Sequence, residues 1–255
     1  MMLNMIETGT DSDQPPVLLA HGLFGSGRNL GGLARRLGET RRVISVDMRN
    51  HGDSFQDSDH SYPALAADLA EVIAAQGGPL DVLGHSMGGK AAMMLALTRP
   101  DLLRRLVVMD IAPFGYSHSQ AGFIDAMQAV TLNGLRLRSE ADAQLANHVA
   151  DPGVRAFLLQ SLDLKSEPPR WKFNLDALRD QMPLLVGWPE APKGSFTGPA
   201  LFLAGALSDY CGPPQIAAIK DYFPQADIRV VPAAGHWLHA DRPAEVADLI
   251  TGFLS

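Results

Sequence analysis

Five residues, Gly84-His85-Ser86-Met87-Gly88, constrain this chain more than any others. The preceding Leu80-Asp81-Val82-Leu83 has the character of a buried strand. The following Lys90-Ala91-Ala92-Met93-Met94-Leu95-Ala96-Leu97 is helical in composition. A chain that passes from strand to helix through a single serine turns so sharply that the residues two before and two after it have no room for a Cβ. Glycines stand at both places, and the turn leaves the Ser86 hydroxyl exposed at the start of the helix. The five-residue pattern alone arises by chance in about one chain in ten of this length. Its meaning therefore depends on the scaffold around it and on partners for the serine.

The scaffold follows from the hydrophobic periodicity. Strands are predicted over residues 3–8, 17–20, 42–46, 80–84 and 106–109, and again over 200–204 and 228–231. Helices are predicted over 29–37, 64–76, 214–222 and from Pro243 onward, and Leu65, Leu69, Val72 and Ile73 share one face of the second. This alternation predicts an α/β fold with a mostly parallel sheet covered by helices on both faces. Between 114 and 198 the rhythm stops. Helical patterns over 120–130, 140–149 and 154–162 run with no strand between them, and Ser139 is placed to cap the second. The expected organisation is a core of residues 1–113 and 199–255 interrupted by an all-helical cap of residues 114–198. The cap should lie across the C-terminal edge of the sheet, where open α/β sheets bind ligands. It is rich in bulky side chains, most of them ordinary core residues. Phe114, Trp171 and Trp188 are candidates to line a pocket, together with Phe24, His85 and Trp237 from the core loops.

Composition excludes several function classes. With 255 residues, 46% hydrophobic and 19% charged, the chain suits one large globular domain. No apolar run reaches the ~18 residues of a membrane helix, and residues 1–13 lack the basic and apolar regions of a secretory leader. With a single cysteine, Cys211, this predicts a cytoplasmic protein without a membrane span. A net charge of -7 disfavours nucleic acid. The basic pairs Arg35-Arg36, Arg41-Arg42 and Arg104-Arg105 read as helix ends and solvated strand edges. The glycine-rich loop from His21 to Gly27 has neither a Lys-Ser/Thr ending nor Gly-x-Gly-x-x-Gly, so it is no phosphate cradle. Its other use is to aim a backbone N–H at a reacting oxygen.

A serine hydroxyl is a poor nucleophile until a base takes its proton and a third group orients that base. Among eight histidines, His236 follows a late strand through Gly235, which places it in a loop at the sheet's C-terminal edge. His21, His51 and His85 sit in loops near the same edge and are expected to make structural hydrogen bonds. His239 is three residues from His236, but no third ligand accompanies the pair at metal spacing, so no metal and no other cofactor is expected. Asp110 closes the strand after the elbow and Asp209 sits in the loop after the strand over 200–204; either loop should reach the histidine, and spacing does not choose between them. Two N–H donors are needed for a developing oxyanion, each worth ~3 kcal/mol to the transition state. Met87 N–H is one, and Leu23 N–H the other, with Phe24 N–H as an alternative.

His21-Gly22-Leu23-Phe24-Gly25-Ser26, Asp47-Met48-Arg49-Asn50-His51-Gly52-Asp53-Ser54, Gly84 to Lys90, Asp110-Ile111-Ala112-Pro113 and Gly235 to Ala240 together resemble the α/β-hydrolase superfamily. Within it the chain is similar to small bacterial acyl esterases of the YbfF type, over nearly its whole length and into the insertion at Trp171-Lys172-Phe173-Asn174 and Val186-Gly187-Trp188. The resemblance implies an α/β-hydrolase fold with a helical cap after the strand ending near Asp110. It implies Ser86 as nucleophile, His236 as base and Asp110 as acid, with Ser208 supporting the histidine and Asp209 as the departure from the pattern. The implied activity is hydrolysis of carboxylic esters or thioesters of short to medium acyl chains by a monomer or small homo-oligomer acting on a small molecule. Carbon–carbon bond hydrolysis, perhydrolysis and ligand reception with a nearly silent triad are the alternatives on the same scaffold.

Overall fold

The structure is a computed structural model describing residues 1–255. Strands β1 (Met5–Thr8), β2 (Val17–Ala20), β3 (Val43–Val46), β4 (Leu80–His85) and β5 (Leu103–Met109) precede the insertion. A short hairpin of β6 (Leu162–Asp163) and β7 (Arg170–Trp171) lies within it, and β8 (Ala200–Gly205) and β9 (Asp227–Val231) follow. Seven strands form one sheet in the order β1-β3-β2-β4-β5-β8-β9. Only β1 runs antiparallel to its neighbour.

A parallel sheet covered on both faces needs strands that are apolar throughout, and every residue of β2, β3, β4 and β8 is buried. Alternate residues feed two cores. Leu18, Ile44, Val82, Leu106, Val108 and Phe202 face one, and Leu19, Val43, Leu83, Val107, Leu201 and Leu203 face the other. Helices α1 (Gly31–Leu37) and α11 (Pro243–Leu254) cover the second face. Helices α2 (Tyr62–Ala75) and α3 (Met87–Thr98) cover the first. Helix α3 is buried along its whole length from Met87 to Leu97, so its apolar composition on every side has a physical cause. No helix is long and apolar enough to cross a membrane.

The insertion carries α4 (Ala121–Gln128), α5 (Arg138–Leu145), α6 (Pro152–Leu159), α7 (Leu175–Asp180) and α8 (Met182–Val186). The remaining helices are α9 (Pro213–Tyr222) and α10 (Leu238–Asp241). Three expectations fail. The insertion is not all helical, because after α6 the chain folds back as the antiparallel β6–β7 hairpin, whose connecting loop carries Pro168 and Pro169. Strands of two residues are too short to leave a periodic signature. Ser139 does not cap α5, which it already lies inside. The Glu140 carboxylate instead accepts from the Arg136 and Leu137 amides, each at 2.9 Å. Arg41 is no solvated edge residue either. It is buried at the N-terminal end of the sheet, 3.2 Å from the buried Asp81, and donates to the Leu254 carbonyl at the end of α11.

Register brings the functional loops together. Ala20 pairs with Gly84, His85 with Met109, and Met109 with Leu203. The loops that begin at His21, Ser86, Asp110 and Ala206 therefore leave the same edge of the sheet side by side.

Candidate active site

At the β4–α3 turn, Ser86 has φ +51° and ψ -117°, a conformation that costs a non-glycine residue about 1–3 kcal/mol. It is held by its N–H donating to Met109 O at 3.1 Å and by its carbonyl accepting from Lys90 N at 3.0 Å. A Cβ on Gly84 would stand 2.2 Å from Gly88 O, and one on Gly88 would stand 2.4 Å from Ala20 O. Both glycines are thus required by the backbone packing that presents the serine.

His236 Nε2 lies 3.0 Å from Ser86 Oγ, and its Nδ1 lies 2.8 Å from Asp110 Oδ2. With Nδ1–H donating to the carboxylate, Nε2 is free to accept from the serine hydroxyl. Asp110 is 0% exposed and, like Ser86, has a positive φ, +50°. Its Oδ1 accepts from Gly205 N at 2.8 Å, and its Oδ2 also accepts from the Ser208 hydroxyl. The Tyr210 ring stacks on the His236 ring at 4.1 Å between centroids and 22° between planes. The His85 ring also packs against His236, 4.8 Å between centroids, and its Nε2–H donates to His236 O at 2.9 Å. Asp209, by contrast, is exposed and its carboxylate makes no hydrogen bond or ion pair. Geometry therefore gathers Ser86, His236, Asp110 and Ser208 and leaves Asp209 outside.

The loop after β2 is buckled by two buried histidines. His51 donates from Nδ1 to Arg49 O at 2.9 Å and accepts at Nε2 from Phe24 N at 3.2 Å. His21 donates from Nδ1 to Gly22 O at 2.7 Å and accepts at Nε2 from Met48 N at 2.9 Å. Burial holds both rings below the usual histidine range, so they are neutral and able to accept. The Phe24 amide is occupied in this way, and Leu23 precedes it at the rim of the loop. Met87 is the first residue of α3, where an amide has no intrahelical acceptor.

Ser86 and His236 open onto a cavity of about 140 Å³. An apolar cavity of roughly this size, ~150 Å³, holds one benzene in an engineered lysozyme. Phe24, His85 and Trp237 line it, while the insertion contributes Phe123, Phe157, Met182, Leu185 and Val186. The other three pocket assignments are corrected. Phe114 packs on the Tyr116 ring away from the cavity, 5.7 Å between centroids. Trp171 is buried within the insertion, off the cavity, and its indole N–H, which needs an acceptor once buried, donates to Met127 O at 2.9 Å. Trp188 is wedged between Tyr62 and Tyr222, at 6.1 Å and 5.8 Å. Sequence reading also missed Tyr62, Tyr116, Tyr210 and Lys90, all at the cavity wall. Only Lys90 carried a signal, as a lone charge in the wholly apolar run of α3. Its ammonium donates to Gly187 O at 2.6 Å, Val186 O at 3.2 Å and Leu185 O at 3.4 Å, and burial pushes its pKa down to about 7. No three His, Cys, Asp or Glu side chains gather as a metal site. His239 packs edge-on against His85 at 4.8 Å instead.

Residues 17–249 match the alpha/beta hydrolase family. The esterase YbfF of Escherichia coli (strain K12) is 41% identical over 244 residues, covering 94% of this chain and 93% of that protein. The sn-1-specific diacylglycerol lipase ABHD11 of Mus musculus is 42% identical over 255 residues, covering 96% of this chain and 82% of that protein. Among solved structures, a marine microorganism esterase superposes with a TM-score of 0.94 at 34% identity, covering 99% of each chain. The match runs from the first residue of β2 into α11, across the whole β4–α3 turn and the loops around it, and the chain belongs to the alpha/beta hydrolase family.

Proposed function

We propose that this protein is a serine esterase that cleaves carboxylic esters, and thioesters by the same steps, of short to medium acyl chains through an acyl-enzyme. The observation that carries the reading is the hydrogen-bonded chain from Ser86 Oγ through His236 to the buried Asp110, at the wall of an apolar cavity. The similarity to proteins named as esterases and a lipase supports ester bonds as the target.

Ser86 Oγ attacks the acyl carbonyl as its proton passes to His236 Nε2. The imidazolium that forms is stabilised by the Asp110 carboxylate, which Gly205 N–H and the Ser208 hydroxyl hold in place. Negative charge on the former carbonyl oxygen is met by Met87 N–H and Leu23 N–H, aided by the positive end of α3. His236 returns the proton to the leaving alcohol or thiol as the tetrahedral carbon collapses. Water then attacks the acyl-serine with His236 again as base, releasing the acid and restoring Ser86. In this reading residues 1–113 and 199–255 form the catalytic core and residues 114–198 a cap over Ser86. The cap's Phe123, Phe157, Met182 and Leu185 take the acyl chain, whose transfer from water is worth ~0.8 kcal/mol per CH₂ buried.

Hydrolysis of p-nitrophenyl esters from acetate to dodecanoate, by wild type and Ser86→Ala, tests this. Turnover that peaks at short to medium chains and is lost in the variant is expected. A folded wild type inactive on the whole series overturns the esterase reading.

A further inference from the structure

The ester chemistry leaves Lys90 unused. Its side chain is 1% exposed, and a cation so placed costs several kcal/mol of desolvation unless its surroundings compensate it. All of its hydrogen bonds go to backbone carbonyls, those of Leu185, Val186 and Gly187. When protonated, the amine has three donors and these three carbonyls take all of them, so none is left over for a substrate. The three acceptors are the carbonyls at the C-terminal end of α8, which lack intrahelical partners and carry the negative end of the helix dipole. The Tyr62 and Tyr116 ring faces complete the cradle, at 5.4 Å and 4.8 Å from Nζ.

The same end of α8 is gripped twice more. The Tyr62 hydroxyl donates to Leu185 O at 2.7 Å, and Tyr116 N donates to Val186 O at 2.9 Å. Met182, Leu185 and Val186 of this short helix face the cavity. At the other end of the link, Lys90 N donates to Ser86 O, so the lysine sits one helical turn from the nucleophile. One side chain thus spans from the helix that presents Ser86 to the wall opposite.

We propose that Lys90 is a specificity-determining positioning residue: by holding the end of α8 against α3 it sets the depth of the acyl pocket and so the acyl length at which turnover falls. The proposal rests on the esterase reading above. Replacing the ammonium with an apolar group of similar length removes three bonds to α8 while keeping the buried stem. The wall should then give way to longer chains.

The test compares wild type with Lys90→Met on the ester series, reading KM and kcat separately, with hydrogen exchange of residues 182–188 measured alongside. The expected result is a preference for octanoate over acetate that rises at least tenfold, mainly through KM. Amides 184–187 should exchange faster while those of α3 keep their protection. An unchanged preference, or a proportional loss on every ester with uniform loosening of the chain, overturns the proposal. Should Lys90→Met not accumulate as folded protein, Lys90→Gln carries the test, since its shorter amide keeps a polar donor on the buried stem but cannot supply all three bonds to α8. A smaller shift in the same direction is expected, and none overturns the proposal. A wild type without any esterase activity counts against the esterase reading, whereas an active enzyme with an unmoved length cutoff counts against Lys90 alone.

Discussion

Replacing Asp110 by asparagine probes the arrangement of the site at its most constrained point. Three donors converge on this wholly buried carboxylate: Gly205 N–H on Oδ1, and Ser208 O–H and His236 Nδ1–H on Oδ2. An amide has only one oxygen to offer. If that oxygen takes the place of Oδ2, the amide NH₂ meets Gly205 N–H donor to donor, a buried mismatch of about 1–3 kcal/mol. If it takes the place of Oδ1, the NH₂ meets His236 Nδ1, and the imidazole proton must move to Nε2, where it can no longer accept from Ser86. Both arrangements remove the charge that stabilises the imidazolium. The analogous change in a serine protease lowers kcat ~10⁴-fold, or ~5 kcal/mol at 1.36 kcal/mol per decade. Asp110→Asn should therefore lose kcat on p-nitrophenyl butyrate by about 10³–10⁴-fold. Its Tm should fall by several degrees, at ~2–4 °C per kcal/mol for a chain of this size, with the far-UV spectrum unchanged. Asp209→Asn, at an exposed carboxylate without partners, should stay within about twofold of wild type. An Asp110→Asn enzyme that keeps more than about a tenth of wild-type kcat, or an Asp209→Asn enzyme that collapses, rules out Asp110 as the group that orients His236.

Acid should unfold the protein by way of its buried histidines. His60, fully buried, has its pKa lowered to about 3, and burial also lowers His21, His51 and His85. Because the folded values lie below the unfolded 6.5, the unfolded chain binds more protons. Stability is complete above about pH 6.5 and is lost as pH falls below it, by ~2 kcal/mol at pH 5 for His60 alone. Urea midpoints that do not move between pH 7.5 and pH 5 contradict this. Gly88→Ala drives a Cβ to 2.4 Å from Ala20 O, so it should cut kcat by at least ~10²-fold as the elbow shifts, and an active, normally stable variant counts against the packing argument. Arg41→Met breaks the buried pair with Asp81, which Arg105 at 3.9 Å and Arg104 at 4.0 Å only partly compensate. A loss of about 3 kcal/mol in urea unfolding is expected, with kcat unchanged where the protein is folded, because the pair lies at the end of the sheet opposite Ser86.

The parts of the fold legible in the sequence are those where one physical demand dominates locally. A strand buried on both faces reads as a continuous apolar run, as in Val17 to Ala20 and Ala200 to Gly205. The elbow announces itself because Gly84 and Gly88 meet backbone at distances no side chain tolerates. His236 was legible through its position after Gly235 and a late strand. The choice between Asp110 and Asp209 was not, because it depends on β5 and β8 lying side by side, which lets Gly205 and Ser208 reach Asp110. The pocket misled for a different reason. Aromatic bulk in the insertion suggested lining residues, yet Trp171 is committed to Met127 O and Trp188 to two tyrosine rings. The wall is instead built partly from Met182, Leu185 and Val186, whose composition is indistinguishable from core. The β6–β7 hairpin has no periodicity to detect at two residues per strand.

Ester hydrolysis by this site requires that Ser86 become covalently acylated. Intact-mass measurement after reaction with a fluorophosphonate, followed by peptide mapping, tests it most directly. One adduct per chain is expected, on the peptide carrying Ser86, absent in Ser86→Ala, and formed in proportion to the loss of esterase activity. An active wild type that takes up no label, or a Ser86→Ala enzyme that hydrolyses esters at the wild-type rate, contradicts it.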